Sequence, residues 1–399
     1  MSSGQSKLKI RLKSASTTNT SIVELLPVSL DTGSSSSIVT LSSNKPSLEP
    51  LIIHFNNNDP APSSINWSSL LHVHKLQFHI HTDDKTDLIP RILTQVPKLE
   101  TLKIWGYTGS GHGSYTPNIE FDFSQLKQLR YLELRNISVA MPWACTLAQL
   151  DQVVTLRLLN VPDLIDENII SMISGMTSLT DLDLHSNHIS TQGFSWLTQM
   201  DNLQHINLSF TQKDDDYYDD IDILISKLHY FRKLSSLHLC FNRISADNIG
   251  NRLLSKLGNL THLTDLNLDG NLLCEYCDFE PLGRLHSLQK LSLMHTGLFD
   301  SDMIKLTAIL PNMPKLRYLS LSLNRFGSVG LRALCGVVSR LKYLEYLGLL
   351  GAFPDSKGLQ LLNSSIRKLQ HLDLIEISIE PQYISPYVMS RLSPAFKFK

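Results

Sequence analysis

Several things are scarce in this sequence, and each scarcity removes a class of function. No run of eighteen apolar residues occurs, so no membrane-spanning helix is expected. The N-terminus lacks the short apolar core of a secretory leader. Neither sign of charge dominates: 36 lysines and arginines face 37 aspartates and glutamates, and a net charge of −1 gives no bulk pull toward nucleic acid or an anionic surface. The five cysteines, Cys145, Cys240, Cys274, Cys277 and Cys335, are scattered, and both ends are free of them. Scattered cysteines of this kind do not form a disulfide framework, so a reducing, cytosolic setting is expected. Triplets such as Asn207-Leu208-Ser209 then carry no glycan.

Signatures of catalysis and of metal binding are also scarce. Gly109, Gly111 and Gly113 lie in a glycine-rich stretch, Gly106–Pro117, but no Gly-Lys-Ser/Thr follows, so it reads as a rim loop and not a phosphate loop. Cys274 and Cys277 form a single CxxC with no second ligand pair, short of what a structural zinc site needs. The acidic run Asp214, Asp215, Asp216, Asp219, Asp220 and Asp222 has neither the glycine nor the closing glutamate of a calcium loop. No catalytic residue, metal ligand or cofactor is assigned from the sequence.

Leucine at fixed intervals is what the chain does have. The stretch from Leu263 to Leu273, LTDLNLDGNLL, carries apolar residues at 263, 266, 268 and 273, with Asn271 three residues after Leu268. Leu266 and Leu268 alternate about Asn267, as one face of a short strand requires. Asn271 falls where the chain leaves the strand, and its amide can bond the backbone of a neighbouring turn. The frame recurs from Leu179, Leu203, Leu234, Leu288, Leu316, Leu344 and Leu369, and more weakly from Leu48, Val73, Leu99, Leu129 and Val153, at spacings of 24 to 31 residues. One such unit cannot bury its own apolar face, so the copies must stack. Between strands, apolar residues three or four apart predict helical returns, as at Ile249, Leu253, Leu257 and Leu260 with Ser245 as N-cap.

This frame resembles that of leucine-rich-repeat proteins, and the repeat length with helical returns resembles their ribonuclease-inhibitor-like subclass. The fold then expected is an α/β solenoid. Strands about 4.8 Å apart stack against helices about 8–10 Å apart, so the solenoid curves into a horseshoe with its parallel sheet concave and its helices convex. The organisation expected is a β-rich cap over 1–47, where KLKIRLK alternates with a strand period, then an array of about 12–13 repeats over 48–380, then a C-terminal cap or tail over 381–399. Ile137, Val161, Ala352, Ile377, His81 and Tyr107 stand where the asparagine should be, so those turns are expected to depart from the regular form.

The resemblance implies a non-enzymatic module that binds a partner protein on the concave face. Strand positions beside the inward leucines supply the candidate surface: His79, Lys103, Trp105, Tyr131, Glu133, Arg135 and Arg157 early, and Tyr318, Tyr346, Leu350 and Ile375 late. Interface energy concentrates in Trp, Tyr and Arg. Lys103, Trp105, Tyr131, Glu133, Arg135, Arg157, Tyr318 and Tyr346 are therefore the candidate partner-binding residues. Glu133 is placed to hold the Arg135 guanidinium, and the cations suit an acidic surface. Asp181, Asp183, His185, His205, Asn207, His238, Asp265, Asn267 and Asp269 form a strip that resembles a metal or hydrolytic cluster but lies on an open sheet. A monomer with no nucleic-acid partner and no membrane insertion is expected. The Ser/Thr/Asn-rich flanks and lone array are also similar to leucine-rich-repeat effectors that intracellular bacteria inject into host cells, where the partner would be a host protein in the host cytoplasm. The alternatives are an endogenous cytosolic scaffold or enzyme inhibitor, and a metal-dependent hydrolase using the His/Asp strip.

Overall fold

The computed structural model describes residues 9–14, 21–26, 50–55, 67–81, 87–107, 116–138, 145–161, 173, 175–211, 219–245, 249–352, 354–378 and 384–398. The chain divides into two compact units, Met1–Asn187 and His188–Lys399.

In the first unit, β1 (Lys9–Ser14) and β2 (Ser21–Leu26) pair antiparallel. β2 then pairs parallel with β3 (Leu51–Phe55), and the parallel order continues through β4 (Lys75–Ile80), β5 (Thr101–Gly106), β6 (Tyr131–Arg135), β7 (Thr155–Leu159) and β8 (Asp181–Asp183). The register is the leucine frame itself. Leu51, Leu76, Leu102, Leu132, Leu156 and Leu182 stand opposite one another. The weak turn from Leu48 is thus in register with the strong ones.

The second unit repeats the scheme with β9 (His205–Asn207), β10 (Ser236–His238), β11 (Asp265–Asn267), β12 (Lys290–Ser292), β13 (Tyr318–Ser320), β14 (Tyr346–Leu349), β15 (Leu374–Ile377) and β16 (Phe396–Phe398), all parallel. Ile206, Leu237, Leu266, Leu291, Leu319, Leu347 and Ile375 form one row and are buried. The returns include α1 (Leu88–Leu93) in the first unit and α2 (Thr191–Leu197), α3 (Asp219–Lys227), α4 (Ile249–Leu257), α5 (Asp300–Ile309), α6 (Ser328–Val337) and α7 (Ser356–Ile366) in the second. Leu253 and Leu257 of α4 and the following Leu260 are buried, as their spacing predicts. The described part of α4 begins at Ile249, so the expected cap by Ser245 lies outside it. Ser190 caps α2 by accepting the Gly193 amide.

One turn is displaced from the expected frame. The last repeat starts at Leu372 and not at Leu369: Ile375 and Ile377 are fully buried and stand opposite Leu347 and Leu349. Ile375 therefore does not face solvent, and Ile377 occupies a leucine position and not the asparagine one. Leu369, Leu372, Leu374, Ile375 and Ile377 offer two apolar registers, and parallel pairing selects the one that keeps both β-branched residues inside.

Asparagines tie the turns together. Asn271 is fully buried; its amide donates to the carbonyls of Leu239 (2.8 Å) and Leu268 (2.9 Å), and its Oδ1 accepts the amides of Asn242 (3.1 Å) and Ile244 (3.2 Å). Asn187 and Asn324 make the same kind of bridge. Thr211 and Thr296 fill the position in two turns, where the hydroxyl reaches the carbonyl of its own turn, Leu208 or Leu293, and the asparagine side chain of the next, Asn242 or Asn324. At Ile137 and Val161 the side chain is buried and apolar, and the link moves one residue earlier: Asn136 donates to the Gly106 carbonyl and Asn160 to the Asn136 side chain. Gly106 permits this approach, because a Cβ there would stand 2.1 Å from the Asn136 carbonyl oxygen.

Candidate protein-binding surface

Alternation fixes which side chains reach the open face. Leu102, Ile104, Leu132, Leu134, Leu156 and Leu158 are buried, so the residues between them on β5, β6 and β7 point away from the core. Parallel register then sets Lys103, Glu133 and Arg157 in one row and Trp105 beside Arg135 in the next. All six early candidates are thus brought together on three adjacent strands.

Glu133 is the centre of the patch, with only 6% of it exposed. One carboxylate oxygen accepts the Trp105 indole N–H at 2.7 Å, and the other accepts the Tyr131 hydroxyl at 2.5 Å. Lys103 Nζ lies 3.6 Å from the second oxygen and sits 5.2 Å from the Tyr131 ring centroid and 5.8 Å from that of Trp105. The Arg157 guanidinium covers Tyr131 at 5.7 Å, and its Nε is 3.9 Å from Asp181. Burial, reinforced by the Glu133 carboxylate it serves, pushes the Tyr131 phenol well above the usual tyrosine range. Glu133 is expected to hold Arg135, and its partners are instead Trp105, Tyr131 and Lys103. Arg135 is exposed, and its charge reaches His185, where burial lowers the imidazole pKa, Asp183 opposes and Arg135 adds to the lowering.

Sequence reasoning left Gln77 out of the surface and read Tyr107 only as a departure at the asparagine position. Gln77 is buried on the open face and hydrogen-bonds His79, whose other ring nitrogen meets the Tyr107 hydroxyl at 2.7 Å. The His79 ring packs at 5.0 Å from Trp105. The alternation of β4 gave Gln77 the same standing as His79, so that signal was available. Trp105 is therefore held from two sides, by Glu133 and by His79.

The late pair is built differently. Tyr318 and Tyr346 stack at 4.4 Å and 6° on adjacent strands, and the Tyr346 hydroxyl donates to Glu376 at 2.6 Å. Burial, then Glu376, raises the Tyr346 phenol well above its ordinary range. Both Tyr131 and Tyr346 are thus favoured in the protonated form. A raised folded-state pKa contributes stability below the ordinary tyrosine range that is lost as pH rises through the folded value. In an ultraviolet alkaline titration of the native protein, Tyr131→Phe and Tyr346→Phe are expected to leave the absorbance change across the ordinary tyrosine range unchanged. A loss of one tyrosine's amplitude there would show that burial and the neighbouring carboxylate do not raise that phenol.

The His/Asp strip is taken up by the scaffold. His238 lies 3.3 Å from Asp265, which also meets Lys290 at 3.4 Å. Asp183 accepts the His185 amide, and the buried Asp269 accepts the Ser292 hydroxyl at 2.6 Å and the Met294 amide at 2.7 Å. Among the described residues no three histidines, cysteines, aspartates or glutamates come together in a way that could hold a metal ion. All five cysteines are free thiols, and burial raises those of Cys240 and Cys335 to about 11. Most of the glycine-rich stretch (108–115) and of the acidic run (through residue 218) lies outside the described residues; Asp222 pairs with Arg252 at 2.8 Å. Among the described residues no helix is long and apolar enough to cross a membrane.

In each unit the parallel strands bury their leucine rows on one side and leave the residues between them on an open face. A sequence family described as Leucine Rich repeat matches residues 175–195 and 312–335, and the fold is that of a leucine-rich-repeat solenoid. Among solved structures, an internalin from Listeria monocytogenes is similar at 19% identity and a TM-score of 0.51, over 88% of this chain and 85% of that one. A leucine-rich-repeat protein of Leptospira interrogans has 18% identity and a TM-score of 0.46, over 83% and 91% of the two chains. Toll of Drosophila, solved in complex with Spatzle, has 17% identity and a TM-score of 0.48, over 86% of this chain and 44% of its own. At these identities the likeness is one of fold. No curated protein matches the sequence.

Proposed function

We propose that this chain is a non-enzymatic interaction module whose partner protein docks on the open face of the first unit, over Trp105, Tyr131, Arg135 and Arg157. The observation that carries the reading is the Glu133 network. It fixes an indole and a phenol in place, so little side-chain entropy remains to be lost on binding. Such pre-set aromatic anchors beside arginine are the usual centres of interface energy. Glu133 and Asp181 lie against Lys103 and Arg157, and Arg135 is the exposed cation of the group. That arrangement suits a partner with a carboxylate opposite Arg135.

The test begins with affinity capture on the intact chain and identification of the partner by mass spectrometry. Charge steering predicts that association slows as salt rises from low to physiological strength while dissociation changes little. Salt-independent association would count against an acidic partner.

The setting we favour is that of a bacterial effector acting on a host protein, on the strength of the Ser/Thr/Asn-rich flanks. An endogenous scaffold or inhibitor is the rival, and a translocation reporter separates the two. Residues 396–398 form β16 on the sheet, so the reporter carries the intact chain.

A further inference from the structure

The residue just before the asparagine position has a positive φ in nine turns, between 49° and 84°: Asn136, Asn160, Ser186, Phe210, Phe241, Gly270, His295, Leu323 and Gly351. The turn into the return segment demands it. Asparagine and glycine accept this conformation readily, and bulky residues do so at a cost. Yet in the second unit the position holds Phe210, Phe241, His295 and Leu323, and these side chains are not used to fill the core. Phe210 is 45% exposed, Phe241 38% and Leu323 51%, and Leu272, two residues past Gly270, is 56% exposed.

These side chains form a ladder. The rings of Phe210 and Phe241 stack at 4.6 Å and 17°, and Phe241 and His295 lie 6.5 Å apart at 25°. Gly270 stands between the last two, and a Cβ on it would fall 2.3 Å from the Phe241 ring. Glycine there lets the Phe241 ring lie down and keeps the strip continuous. Two residues beyond the ladder position stand Arg243 and Arg325, both exposed. From Phe210 to Leu323 the described residues at these two positions include two arginines and one histidine, with no carboxylate.

We propose that this rim is a second docking site, for an extended acidic and apolar segment of a partner protein. It lies on the edge of the second unit. The strip is narrow, with one rung per strand at about 4.8 Å, and an extended chain advances about 3.3 Å per residue. About six residues then span the five turns. Apolar side chains of such a segment cover the ring edges and Leu323, and its carboxylates reach Arg243 and Arg325. A membrane surface fits less well, because the rings stack on one another and each is already half buried, leaving no wedge to insert.

The probe is a fluorescent peptide of about six alternating leucine and aspartate residues, read by anisotropy with the full chain. Leucine–lysine and serine–aspartate peptides of equal length serve as controls, and phosphatidylserine vesicles as the competing surface. The leucine–aspartate peptide is expected to bind and both control peptides to bind at least about tenfold more weakly. Phe241→Asn and Leu323→Asn should each weaken that binding about tenfold or more without lowering Tm, since asparagine is what this chain places there at Asn136 and Asn160. Equal binding of all three peptides, binding of vesicles in preference to the peptide, or unchanged affinity in both variants would overturn the proposal. A fall in Tm in both variants would assign the side chains to packing and overturn it equally.

Discussion

Asn271→Ala is expected to destabilise the second unit by about 3–5 kcal/mol in urea unfolding followed by circular dichroism, one of the two largest single-residue effects foreseen. The side chain is fully buried and, besides a long contact to the Asp269 carbonyl at 3.5 Å, makes four shorter backbone bonds, two as donor to Leu239 and Leu268 and two as acceptor from Asn242 and Ile244. Alanine strands all four groups at once. Each orphaned buried group costs about 1–3 kcal/mol, and a water entering the vacated space recovers part of the sum. Asn271→Thr provides the graded control. Threonine at Thr296 donates to Leu293 in its own turn but does not span to the turn before, so about half the loss should return. A cost below about 1 kcal/mol for the alanine variant would mean that the asparagines do not tie the turns.

Leu266→Ala should cost about 2–5 kcal/mol by lost burial and the cavity left behind. Leu266 is 1% exposed and stands between Leu237 and Leu291 in the central row of the second unit. Neighbouring strands and their turns hold the surrounding backbone, so the site has little room to collapse. Leu272→Ala, six residues on and exposed at the rim, should change stability by less than about 0.5 kcal/mol. Similar costs for the two leucines would mean that the frame does not distinguish inside from outside.

The leucine frame could be read from the sequence because its spacing is a consequence of backbone geometry. A strand turns every second side chain inward, and one turn of the coil returns the chain to the same place. The same rule puts Lys103, Trp105, Tyr131, Arg135 and Arg157 on the open face, between the buried leucines. The last turn was misread where Leu369 to Ile377 offers two apolar registers, and only cross-strand pairing chooses between them. The role of Glu133 was out of reach for a related reason. Its partner Trp105 is 28 residues away in sequence, and which neighbour a carboxylate serves depends on rotamers that no periodicity encodes. The rim ladder did leave a trace: five of the nine left-handed positions carry asparagine, serine or glycine. Those residues mark the conformation, and Phe210, Phe241, His295 and Leu323 stand out once the column is aligned.

The proposal of an open-face docking site stands or falls on one measurement, the affinity of the captured partner for Trp105→Ala and for Arg135→Ala relative to the unaltered chain. Arg135 is exposed, so its loss should weaken binding by about 2 kcal/mol, near thirtyfold, with thermal unfolding almost unchanged. Trp105→Ala should weaken binding by at least about as much and also lower stability modestly, because it leaves one Glu133 oxygen without its donor. If both variants hold the partner as tightly as the unaltered chain does, the patch on β5 to β7 is not where the partner docks.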